Sequence, residues 1–177
     1  RKDGFLILYD NIPTFAPTPS PTAIPTTATP TTASPSFAPT YDSYKQFGST
    51  NSGGESGEAV AVDSHGGVYI VGTVSGGALG STYYGWTDAY IRKYDDSWSV
   101  SFTDQIGTTG YELGQKVCVD SSNYVYVGGV TDSSLFGTSA GYADVFVRKY
   151  DSAWNVVYTD VFGTTSEEYV GVMCVGA

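Results

Sequence analysis

The sequence predicts an all-β fold: antiparallel, propeller-blade-like repeats of about 57 residues that do not close alone, preceded by a lone β-strand and an extended Pro/Thr-rich linker. Three observations point there. Tyr (15) and Gly (22) are abundant, Met is single, and no alanine-, leucine- and glutamate-rich stretch suits a helix. From Tyr41 onward the chain repeats itself. All eight prolines fall in one uncharged run, 13–40, that neither a helix nor a sheet interior accommodates.

Residues 1–12 form the first segment. Within D-G-F-L-I-L-Y-D (3–10), the unbroken apolar run Phe5, Leu6, Ile7, Leu8 and Tyr9 has the length and composition of a strand. The second segment, 13–40, reads P-T-F-A-P-T-P-S-P-T-A-I-P-T-T-A-T-P-T-T-A-S-P-S-F-A-P-T and resembles mucin-like or extensin-like linkers. Proline fixes φ and removes a donor, so an extended polyproline II path is expected, reaching up to roughly 85 Å at about 3.1 Å per residue. Its hydroxyls then face solvent. Thr14, Thr18, Ser20, Thr22, Thr26, Thr27, Thr29, Thr31, Thr32, Ser34, Ser36 and Thr40 are the candidates for O-linked sugars. No N-x-S/T sequon occurs, so N-glycosylation is not expected.

The third segment, 41–177, holds two full repeats and the start of a third. A-V-A-V-D-S-H-G-G-V-Y-I-V-G (59–72), T-D-A-Y-I-R-K-Y-D (87–95) and F-T-D-Q-I-G-T-T (102–109) make one unit. K-V-C-V-D-S-S-N-Y-V-Y-V-G-G (116–129), A-D-V-F-V-R-K-Y-D (143–151) and Y-T-D-V-F-G-T-T (158–165) make the next. Each unit offers four strands, in the first at Val60–Val62, Val68–Val71, Ala89–Tyr94 and Trp98–Phe102, with hairpin turns such as D-S-H-G-G between them. Four antiparallel strands per unit describe one propeller blade. A-V-D-S-H-G-G-V-Y-I-V-G and C-V-D-S-S-N-Y-V-Y-V-G-G resemble the SBBP family of β-propeller repeats over roughly residues 46 to 175. The resemblance implies a bladed all-β fold and says little about activity. A closed propeller takes about four to eight blades, more than these repeats supply.

The third unit opens with S-E-E-Y-V-G-V-M-C-V (166–175). Where the complete units continue with a polar turn and an apolar strand, the N-terminal segment R-K-D-G-F-L-I-L-Y-D offers a turn ending in D-G and an apolar strand. Phe5–Tyr9 is therefore expected to pair beside Tyr169, Val170, Val172, Cys174 and Val175. Pairing with a neighbouring copy is favoured over pairing within the chain. Open repeat arrays without polar caps associate, and a head-to-tail contact that does not close makes a filament. The linker would then act as a strap between subunits.

No catalytic, metal or cofactor constellation is expected. The single histidine, His65, sits in a turn without the partners that a triad or a zinc site needs. Asp63, Asp88, Asp95 and Asp104, with their counterparts Asp120, Asp144, Asp151 and Asp160, recur once per blade and read as turn formers, since no D-x-D-x-D-G loop is present. Cys118 and Cys174 occupy equivalent core-strand positions, where cysteine behaves as a small hydrophobe or, in an oxidising setting, forms a bridge. Trp86, Tyr83, Tyr84 and Tyr142 lie in the loop before the third strand, placed to pack on the next blade or to stack on sugars. Arg92 and Arg148 with their neighbouring lysines read as a strand's polar face.

Eight basic against eighteen acidic residues give a net charge of −10, which argues against nucleic-acid partners, and no apolar run suits membrane insertion. The expected function is that of a non-enzymatic, extracellular filament subunit, partnered by copies of itself and by covalent glycans on the linker. The alternative is a carbohydrate- or protein-binding module on a stalk.

Overall fold

The computed structural model describes residues 4–8, 43–49, 53–80, 82–135 and 141–173. Among them are ten strands and no helix: β1 (Gly4–Leu8), β2 (Ser43–Phe47), β3 (Glu55–Val62), β4 (Val68–Ser75), β5 (Thr87–Tyr94), β6 (Val100–Ile106), β7 (Glu112–Val119), β8 (Val125–Thr131), β9 (Asp144–Tyr150) and β10 (Val156–Phe162). None of the described residues forms a helix long and apolar enough to cross a membrane, which says nothing of strands.

The repeats become two open, four-stranded antiparallel sheets, β3-β4-β5-β6 and β7-β8-β9-β10, with sequence neighbours hydrogen-bonded throughout. Their registers match residue by residue, down to a bulge at Gly57/Ala59 in one and at Gly114/Lys116 in the other. One turn design is used four times, in D-S-H-G-G, D-D-S-W-S, D-S-S-N-Y and D-S-A-W-N. The aspartate side chain accepts the N–H groups two and four residues on: Asp63 from His65 and Gly67, Asp95 from Ser97 and Ser99, Asp120 from Ser122 and Tyr124, Asp151 from Ala153 and Asn155. The fourth residue turns left-handed: Gly66 (φ 85), Trp98 (φ 61), Asn123 (φ 62), Trp154 (φ 67). Trp98 thus belongs to the turn, and the strand expected to begin there starts at Val100. A left-handed φ takes a residue out of a ladder.

Because side chains alternate along a strand, each sheet has two faces. Tyr69, Val71, Ala89, Ile91 and Ile106 on one face of the first sheet pack against Val125, Val127, Phe146 and Tyr150 of the second, and the core lies between the sheets. The central strands β4 and β5 are buried on both faces, whereas β10 is exposed along most of its length.

The chain divides into two compact units, Leu6–Lys45 and the remainder. β1 and β2 form a separate two-stranded sheet. The sequence reading gave β1 a partner in 169–175, and within this chain its partner is β2 instead. Two alignments explain the pairing. D-G-F-L-I-L-Y-D lies over D-A-Y-I-R-K-Y-D (88–95) and D-V-F-V-R-K-Y-D (144–151), the third strand of each blade. Q-F-G-S-T (46–50) lies over Q-I-G-T-T (105–109), the end of the fourth strand. β1 and β2 correspond to the outer half of a blade. That pairing occupies one edge of β1, and a strand has two.

Candidate assembly interface

The contact between the two sheets shows what a blade-to-blade joint consists of. At its centre Tyr150 is fully buried, and its hydroxyl donates to the Asp104 carboxylate of the facing sheet at 2.7 Å. Arg148 reaches the same carboxylate with Nη1 at 3.4 Å and holds Thr159 Oγ1 with Nε at 2.9 Å. Burial, reinforced by the Asp104 charge, pushes the Tyr150 hydroxyl far above its ordinary pKa, so it stays a donor. Arg92 repeats the arrangement on the first sheet, donating to Thr103 Oγ1 and to the Leu79 carbonyl. Both arginines are buried, not on a solvated face as the sequence suggested; the adjoining lysines alternate to the opposite face.

Trp154 seals one end of the joint. Its ring stacks on Phe102 of the other sheet, with centroids 3.8 Å apart and planes at 15°. Tyr69 lies 5.9 Å away, and Lys93 Nζ sits 4.9 Å above the Tyr69 ring while pairing with Asp63 at 3.1 Å. The turn geometry aims this indole: the left-handed residue of the β9–β10 turn projects toward the neighbouring blade.

A third recurring device lies in the connections between blades. Thr108 donates both its N–H and its hydroxyl to Glu112, each at 2.7 Å, and Thr131 adds a hydroxyl at 2.8 Å. Ser49 N–H donates to Glu55 at 2.6 Å, and the Thr164 hydroxyl donates to Glu168 at 2.5 Å. The sequence reading missed this clasp. Its signal is a glutamate following each of G-S-T, G-T-T and G-T-T.

Burial raises the Asp88 and Glu112 carboxyls above the ordinary range despite their donors, which are Tyr84, Gln105 and Gly85 for Asp88 and Thr108 and Thr131 for Glu112. Burial also acts to raise Asp63, but the Tyr69 hydroxyl, the Gly67 N–H, Lys93 and the His65 N–H outweigh it and hold the group at about 2. A carboxyl raised in the fold favours folding below its unfolded pKa, and the contribution is lost as pH rises through the folded value. The Asp63 contribution is present above its unfolded value of 3.8 and is lost as pH falls through about 2. The urea midpoint is therefore expected to rise from about pH 7 to about pH 5 and to fall again below about pH 4. Denaturation curves at these three values check the order.

The joint is repeated on faces that the second sheet leaves open. Ile106, 1 % exposed, corresponds to Phe162, 54 % exposed; Phe102, packed in the joint, corresponds to exposed Tyr158; and Asp104 corresponds to exposed Asp160. Residues 167–173 run onto this open face as 111–117 run onto the first sheet. Ala143 bridges Glu167 as Thr87 bridges Tyr111. Met173 Sδ lies 3.1 Å from where a Cβ on Gly128 would stand, so Met173 faces the sheet while Val172 points away, 89 % exposed.

The expected assembly residues are thus placed unevenly. Phe5, Leu6, Ile7 and Leu8 lie in β1, Tyr169 and Val172 are exposed, and Val170 is half-buried. Tyr9, Cys174, Val175 and every O-glycosylation candidate from Thr14 to Thr40 lie outside the described residues. Cys118 is half-buried on β7, and the Cys118–Cys174 pairing falls outside as well. His65 is in an exposed turn beside Ser64. Four aspartates form turns as expected, but Asp104 holds the joint and Asp88, fully buried, accepts from Tyr84 N–H and Gln105 Nε2. Trp86, 70 % exposed, stacks on Tyr111 at the entry to the second blade, with centroids 6.4 Å apart; Tyr142 is also exposed.

A family described as SBBP, beta-propeller repeat, matches residues 102–137, which span β6 of the first blade and β7 and β8 of the second. No curated protein matches the chain.

Proposed function

We propose that the protein is a non-enzymatic structural subunit of an extracellular filament, assembled head-to-tail, with O-linked sugars on its Pro/Thr-rich segment. The segment 169–175 of one copy adds to the unoccupied edge of β1 in the next, completing a composite blade of 169–175, β1 and β2. One observation carries this reading. Phe47, at the end of β2, meets Tyr90 edge-on at 5.8 Å and lies under the Arg92 guanidinium at 4.9 Å. Ile106 of β6, the counterpart of Phe47, lies in the same buried cluster as Phe146, the counterpart of Tyr90. Phe47 therefore meets the first blade as the end of a fourth strand meets the blade that follows it, while 167–173 begins a further blade. Each is the part the other lacks. Main-chain pairing supplies affinity in strand addition, and alternate side chains supply register.

Sedimentation and negative-stain electron microscopy test the proposal. The chain is expected to form filaments that Leu6→Asp abolishes, the aspartate placing a charge in the strand that assembly would cover. Discrete particles at all concentrations would refute it and favour the stalked binding module. The exposed Trp86–Tyr111 pair is the observation on that side, and Trp86→Ala would then weaken retention on immobilised polysaccharide.

A further inference from the structure

Among the described residues, two apolar patches, one on the outer face of each sheet, are exposed. On the outer face of the first sheet, Val60 and Val62 of β3 are 60 % and 63 % exposed, whereas their counterparts Val117 and Val119 pack into the inter-sheet core. On the open face of the second sheet, Tyr158 and Phe162 are exposed where Phe102 and Ile106 are covered. Val172 stands above that face and points away from it.

We infer that these patches are the two halves of one heterologous joint between copies of this chain. Tyr158, Phe162 and Val172 of one copy lie toward the next, whose Val60 and Val62 Val172 covers. The occupant is a second copy because the chain already contains the joint in duplicate form. Residues that the first sheet offers to the second recur 56 or 57 positions on, on the outward face of the second sheet: Tyr69 as Tyr126, Lys93 as Lys149, Asp104 as Asp160. Lys149 already lies 4.9 Å from the Tyr126 ring, as Lys93 does from Tyr69. The surface that recognises a blade is formed before a blade arrives. Because the two patches differ, the contact is head-to-tail and does not close. The inference rests on the assembly proposed above and names its side-chain contacts.

Single substitutions at the two ends separate the outcomes. Val62→Asp spoils one half of the joint and Phe162→Asp the other; both positions are exposed, and circular dichroism with thermal melts verifies folding. Wild-type chain is expected to elongate, and each variant alone to sediment as a monomer with self-association at least tenfold weaker. An equimolar mixture is expected to form dimers and stop, since Val62→Asp retains an intact Phe162 end and Phe162→Asp an intact Val62 end. Loss of assembly by Phe162→Asp alone would mean a symmetric contact and overturn the inference. So would a mixture that remains monomeric, or wild-type assembly that neither variant alters, in which case strand addition alone would survive. A wild-type chain that never associates would sink both this joint and the filament.

Discussion

Tyr150→Ala is expected to lower folding stability by about 3–5 kcal/mol, the range for truncating a large buried aromatic. The side chain is fully buried, packed edge-on against Phe102 and Trp154, with its hydroxyl on Asp104. Removing it empties the centre of the joint and leaves the Asp104 carboxylate without its shortest hydrogen bond. Tyr150→Phe isolates that bond and is expected to cost about 1.5–3 kcal/mol, the range for a hydrogen bond to a charged group. Urea denaturation followed by tryptophan fluorescence reads both. Trp154 sits beside the mutated residue and Trp98 in the other blade's turn, so two separated transitions in Tyr150→Ala would show the blades melting independently. A loss below about 1 kcal/mol would mean that the sheets do not depend on this joint.

Gly129→Val is expected to cost about 3 kcal/mol or more, at the upper end of the overpacking range. A Cβ there would fall on the Leu113 carbonyl oxygen and stand 2.6 Å from the Phe146 ring, so neither the β7–β8 ladder nor the core has room. Gly72 repeats this position: a Cβ would fall on the Ser56 carbonyl oxygen and approach the Tyr90 ring to 3.0 Å. In each blade the glycine lets an aromatic of the third strand lie flat across the second. Gly54→Ala is the control, since nothing stands within 4 Å of a Cβ at that site, and a change within about 0.5 kcal/mol is expected. Melting both variants alongside wild type decides the matter.

Most of the architecture was legible because it is written twice. The D-S-H-G-G turn, the alternation in β5 and β9 and the 57-residue spacing each follow from local rules, and the duplicate removes accidental matches. Single events were harder to read. β1 is an unbroken apolar run, so its composition does not say which edge or face is used. It matches a second strand after D-G and a third strand within D-x-x-x-x-x-Y-D equally well, and only the β2 pairing discriminates. The buried arginines were misread because R-K looks polar as a pair. The period of two sends Arg148 into the core and Lys149 to the other side. Glu112 escaped notice because its function is to hold a connection, and connections carry no periodicity.

The pairing of β1 with β2 changes what the intervening proline-rich stretch does to its surroundings. Its two ends are anchored to one small sheet, no further apart than the length of a five-residue strand, roughly 17 Å. A tether fixed at both ends cannot pass its full reach on to another molecule. In the filament proposed above, the strap expected between subunits would therefore be a tether closed within each subunit.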